Sequence, residues 1–191
     1  MINSLLRFSL AAVCLLLINP AALAQSMIHA VSGTVKSVNP NIRMIEIATD
    51  DGTPGHFQWM AKSDGPIMFS RNVSEDSTAV DKFTTKGSHV IVYYFGDGEV
   101  RTAVAVRDLG SVPVKLISGK VIKCDRHDHL LTIHNDSGAE VTFHLDPKTV
   151  GDTETGVEEG FHFDFDKGEA VRVTATPADG GSTALLIAPA M

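Results

Sequence analysis

Apolar and polar side chains alternate along much of this chain, and the alternation breaks at Gly, Asp and Asn, the punctuation of short strands joined by turns. The stretch 130–145, LLTIHNDSGAEVTFHL, shows it most plainly. A three-residue turn at Asp136-Ser137-Gly138, with Gly138 left-handed, sets Asn135 opposite Ala139, Ile133 opposite Val141 and Leu131 opposite Phe143. Every inward partner is then apolar, and a one-residue slip would turn the whole set to solvent. Asp50-Asp51-Gly52 does the same work earlier and places Ile45 opposite Phe57. In the C-terminal half the pattern predicts strands near 117–124, 129–135, 139–145, 169–175 and 182–188.

The two stretches are copies of one unit. Residues 31–59 align with 117–145 at a constant offset of 86, which superposes Gly33 on Gly119, Val35 on Val121, Ile47 on Ile133 and Phe57 on Phe143. Residues 86–106 align with 167–187 at an offset of 81, so the first copy is five residues longer between the blocks, where a loop absorbs the change. Two copies are too few for a solenoid, and each is long enough to fold as a small domain. The Gly-x-Val-x-x-Val/Cys pattern puts Val35 and Val38, or Val121 and Cys124, on one face only if the strand bulges between them. Cys124 therefore reads as a core thiol.

At the N-terminus, Arg7 precedes the apolar run from Leu10 to Ile18, and Ala22-Leu23-Ala24 offers a signal-peptidase site. Residues 1–24 are expected to be a signal peptide cleaved after Ala24, with no membrane span in the mature chain and a periplasmic or extracellular destination. Removal of that segment takes one Arg and no acid, leaving 15 basic against 23 acidic side chains, a net charge of −8. Such a surface repels phosphate backbones, so nucleic acid is not an expected partner. Cys124 then stands alone, and without a disulfide the fold rests on its apolar core.

Candidate chemistry is sparse. His127 and His129 leave the same side of an extended turn, with Asp125 nearby, and form the one chelating spacing in the 118–138 stretch. His134 and His144 lie about 13 Å apart along the ladder and cannot share an ion. In the first copy Met44 faces Gln58, leaving His56 and Met60 as diagonal neighbours in a soft cluster, while Trp59 points the other way. Either set would take copper or zinc; the plainer readings are a solvated turn and a covering patch of methionine. The stretch 151–169 holds seven carboxylates and one lysine and reads as an acidic surface loop, with Phe161, Phe163 and Phe165 anchoring one face. No nucleophile elbow, HExxH, CxxC or phosphate-binding glycine loop is present.

The order GxVxxV, alternating strand, acidic turn, Phe, KGxxVxV and Ala-rich strand resembles secreted bacterial small β-barrels of OB type, among them the periplasmic copper/silver-efflux chaperones. The resemblance spans both copies and implies two tandem five-stranded OB-like barrels, 28–108 and 115–189, joined by a linker at 109–114. In those chaperones a His and a Met pair hold the ion beneath a Trp. The corresponding positions here are Asn135, Ala139 and Val141, and in the first copy Thr49, Thr53 and Gly55, so that ligand set is missing.

The expectation is an all-β exported protein that is not an enzyme and carries no cofactor: a binding or structural module for a protein, a glycan or a small ligand. The alternative is a periplasmic metal binder taking copper, silver or zinc through Asp125, His127 and His129 or through Met44, His56 and Met60.

Overall fold

The computed structural model describes residues 27–60 and 77–190; the expected signal peptide, 1–24, lies outside them. Among these residues no helix is long and apolar enough to cross a membrane. Two five-stranded rings account for the architecture. The first closes from β1 (His29–Asn39), β2 (Met44–Thr49), β3 (His56–Trp59), β4 (His89–Phe95) and β5 (Val100–Gly110) in the order β1-β2-β3-β5-β4. The second uses β6 (Lys115–Asp125), β7 (Leu130–Asn135), β8 (Glu140–His144), β11 (Ala170–Ala178) and β12 (Gly181–Pro189), and a parallel β8–β12 pairing closes it.

The predicted registers are present. Leu131 faces Phe143 and Ile133 faces Val141; Ile45 faces Phe57; and Gly138 is left-handed at φ +86°. Asn135 completes the second hairpin, its side-chain oxygen accepting from the amides of Ser137 and Ala139. The expected bulge is present in both copies, between Val35 and Ser37 and between Val121 and Lys123. It turns Cys124 toward Leu131 and the second core, where burial pushes its thiol pKa up.

Each ring has its own interior. Val35, Ile45, Phe57, Trp59, Val90 and Val92 fill the first; Val121, Leu131, Ile133, Phe143, Val171 and Val173 fill the second, with Phe163 and Phe165 closing it.

One expectation is corrected. Part of the acidic stretch is a hairpin, β9 (Val150–Thr153) and β10 (Gly156–Glu159), and β9 pairs in parallel with β12 at Leu186. Its Val150 and Asp152 are buried against the first barrel, while Gly151 is buried on the opposite side beneath Phe163 of the second core. A third apolar cluster fills this seam: Ala30, Ile91, Tyr93, Val104, Ala105, Val150 and Leu186. Ile91 and Tyr93 point out of the first ring while Val90 and Val92 point in, so β4 is buried on both faces and reads as an unbroken apolar run, HVIVYYF. Full burial of Ile91 alone contributes roughly 1.5–3 kcal/mol.

Closure of both rings requires a glycine where the first strand of each passes its neighbour. A Cβ at Gly33 would stand 2.4 Å from the Ala48 carbonyl oxygen, and one at Gly119 would stand 2.5 Å from that of His134. Gly119→Ala is therefore expected to destabilise the protein by about 1–3 kcal/mol in urea unfolding, and Gly33→Ala by a similar amount. A change within about 0.5 kcal/mol at both positions would contradict this tight crossing.

Candidate functional site

The 125–129 turn is tighter than chelation requires. Asp125 Oδ1 accepts from the amides of His127 and Asp128 at 3.0 and 2.9 Å, and its second carboxylate oxygen pairs with Lys123. These contacts, the Lys123 ammonium first, hold the Asp125 pKa down to about 2. His129 takes the left-handed conformation, φ +57°, and its ring stacks on Phe161 with centroids 3.8 Å apart. The extended segment that would aim both imidazoles one way is thus replaced by a capped turn in which the His129 ring packs on Phe161. Among the described residues no three His, Cys, Asp or Glu side chains gather to hold an ion.

In the first barrel the expected register places Met44 opposite Gln58 and His56 opposite Glu46. Met60, just past the end of β3, instead joins a cavity of about 150 Å³ lined also by Arg43, Gln58, Trp59 and Thr102. Neither Met44 nor His56 lines it. The cavity arises from the barrel itself: Gln58 and Thr102 are paired neighbours on β3 and β5, and the β1–β2 turn brings Arg43 over them. The backbone amide of Trp59 donates to the Arg43 carbonyl at 3.0 Å and fixes that turn against the strand end.

Below this face Arg101 lies inside the ring, stacked over Phe57 at 4.5 Å and Tyr94 at 4.3 Å and donating to the Pro54 carbonyl. Two aromatic faces stabilise the buried guanidinium, although its Nε has no hydrogen-bond partner. The second barrel has Ser182 and Ala175 at the corresponding positions, so this cation belongs to the first copy alone.

The seam carries a polar set that alternation did not reveal. Asp152 accepts from the Ala30 amide at 3.1 Å and pairs with His29 Nδ1 at 3.0 Å. Ser32 and Thr174 hydroxyls meet at 2.7 Å, Arg172 pairs with Asp51 at 3.1 Å, and Tyr93 donates to Glu159 at 3.0 Å. Burial raises the Tyr93 pKa, keeping its hydroxyl a donor. The gap beside Arg172, about 20 Å³, has space for little more than one water, so the seam is a joint and the cavity on the first barrel is the candidate site. The sequence signal for the joint was present in HVIVYYF, where its repeat counterpart AVRVTAT alternates.

The hydrogen bond from Asp152 raises the His29 pKa above its ordinary 6.5 against an opposing effect of partial burial. A raised folded-state value means that the pair stabilises the joint fully below pH 6.5 and loses that contribution as pH rises through the His29 titration. Asp152→Asn is accordingly expected to lower the melting temperature more at pH 6 than at pH 9. An equal drop at both values would show that the charge of the pair plays no part.

No family model matches the chain, and no curated protein matches it. Among solved structures, the crystal structure of Ag(I)-bound CusF is similar at 18% identity and a TM-score of 0.33, over 41% of this chain and 99% of that one. At that distance the likeness carries no argument about ligands.

Proposed function

We propose that this chain is an exported, non-catalytic binding module whose two joined barrels present one small site where the β1–β2 turn meets the outer face of β3 and β5. The observation that carries it is the cavity of about 150 Å³ lined by Arg43, Gln58, Trp59, Met60 and Thr102. OB-type barrels use the strand 2–3 face and the first turn for ligands, and that is where these residues lie. The volume falls short of the roughly 300 Å³ at which pockets for drug-sized molecules begin. The site therefore takes a small molecule, or the tip of a glycan or protein. Export rests on the apolar N-terminal run and the Ala22-Leu23-Ala24 motif.

The metal-binding alternative has a specific obstacle in the first barrel: Arg43 shares the cavity with Met60, and a guanidinium repels a cation. Calorimetry of the mature chain with Cu(I), Ag(I) and Zn(II) is expected to give the same isotherms for wild type and for His56→Ala/His127→Ala/His129→Ala. A stoichiometric site lost in that variant would establish the metal reading instead.

For the binding reading, Trp59 is the chain's one tryptophan, so its fluorescence reports on this cavity. A screen of small metabolites and oligosaccharides is expected to yield saturable ligands whose binding disappears in Thr102→Trp, which fills the cavity from the outer face, with melting preserved. Ligands that bind Thr102→Trp unchanged would place the site elsewhere, and a screen without ligands would count against the module itself.

A further inference from the structure

The first residues of β1 reach beyond their own ring. β1 pairs with β4 from His29 to Thr34, but with β2 only from Gly33 onward. The residues before Gly33 therefore have one edge on β4 and the other turned to the second barrel, and the backbone groups of that edge must still find partners. The Ile28 carbonyl accepts from the Val157 amide at 3.0 Å, the Ala30 amide donates to Asp152 Oδ2 at 3.1 Å, and the Ser32 carbonyl accepts from the Asp50 amide at 2.9 Å. Val157 and Asp152 stand opposite each other on the β9–β10 ladder, so a single rung of the second barrel grips this segment.

His29 completes the grip. Its Nδ1 lies 3.0 Å from Asp152 Oδ1, and since a carboxylate accepts, the imidazole is the donor. The His29 side chain is 37% exposed and that of Asp152 8%, so solvent protons reach the ring while the carboxylate it holds is buried. A charge-assisted hydrogen bond is roughly twice as strong as a neutral one, so the grip is firmest with His29 protonated and weakens, with the bond retained, when it is not. The charged neighbours on the elements around His29 are few. The Tyr94 ring of β4 lies 6.0 Å from the imidazole and carries Arg101 over its face, and Asp97 in the turn after β4 adds a weaker pull on the proton. On β10, Glu159 accepts from Tyr93 beside Glu158; Asp50 and Asp51 pair with His89 and Arg172; and β12 carries no charged side chain. Asp152 is thus the group that holds the His29 proton. The second copy has Lys115 and Leu116 at the positions of His29 and Ala30, so the arrangement belongs to the first copy.

We propose that residues 27–32 form a pH-responsive strap between the two barrels, held on the β9–β10 hairpin by protonated His29 and loosened when that proton leaves, with both rings intact. The strap stands apart from the binding-module reading and does not depend on the cavity. Because Asp152 raises the His29 pKa above 6.5, the hold is complete below that value and is lost as pH rises through the raised titration.

The test is amide hydrogen exchange, followed by NMR on the full mature chain at pH 5.5 and pH 8.5 and expressed as protection factors, which remove the intrinsic pH dependence of exchange. The Ala30 and Val157 amides are expected to be several-fold better protected at pH 5.5. The Ile47 and Val121 amides, hydrogen-bonded within the first and second barrels, should change less. At intermediate pH the strap signal should follow the titration of the His29 ring itself. His29→Asn, which keeps an uncharged donor near the Nδ1 position, is expected to flatten the difference, and His29→Gln asks the same question should His29→Asn fail to fold. Strap amides that change no more than the ring amides would overturn the proposal. So would a pH dependence that survives in the folded variants, or one whose midpoint departs from the His29 titration, since another group would then be responsible.

Discussion

Closure of each ring depends on the first strand bending enough to pair on both sides. β1 pairs with β2 and with β4, and β6 with β7 and β11, and in each the pairing slips by one residue after the Gly-x-Val motif. The extra residue, Lys36 or Ile122, lets the valine before it and the Val38 or Cys124 after it both face inward, over Ile45 or Leu131. The glycine two residues before that valine lets the neighbouring backbone come within what would be a clash with any side chain. Without this bend the alternating strands would form an open sheet with exposed edges, and neither interior would close.

Given closed rings, the two copies differ in how they use their outer faces. The first copy's β4 turns Ile91 and Tyr93 outward, and the second copy's β11 puts Arg172 and Thr174 at the matching positions. The joint is consequently an unequal one, with an apolar centre from the first barrel, the β9–β10 hairpin and β12, and polar pairs toward Asp51 and Ser32. Asp152 is buried in it because two partners, the Ala30 amide and His29, compensate its lost hydration. A buried polar set of this kind fixes one relative orientation, since sliding the barrels would leave a carboxylate without partners.

The same divergence produces the candidate site. Both copies place a non-glycine residue in a left-handed turn at the end of the first hairpin, held by the same backbone hydrogen bond. In the second barrel Phe161 stacks on that side chain, and in the first the side chain lines a cavity with Gln58 and Thr102. The two barrels have equivalent turns, and the side chains around them decide that one stacks on an aromatic ring while the other borders a cavity.

Alternation and turn chemistry by themselves determined the all-β class, the two-fold repeat, the hairpin registers and the bulge, because each depends on residues within one strand or its immediate neighbour. The inward set Leu131, Ile133, Val141 and Phe143 was legible for that reason, and so was Trp59 facing the core. The proximity of His127 to His129 was legible only as a spacing; the Asp125 cap and the Phe161 stack that settle their geometry come from a turn and from a segment more than thirty residues away. Asp152 looked like one more surface acid, and only the first barrel's approach makes it a buried partner of His29. Apart from the unbroken apolar run of β4, tertiary structure decided the joint and the cavity, because both are made by outer faces, and most residues on an outer face carry no local mark of what will come to rest against them.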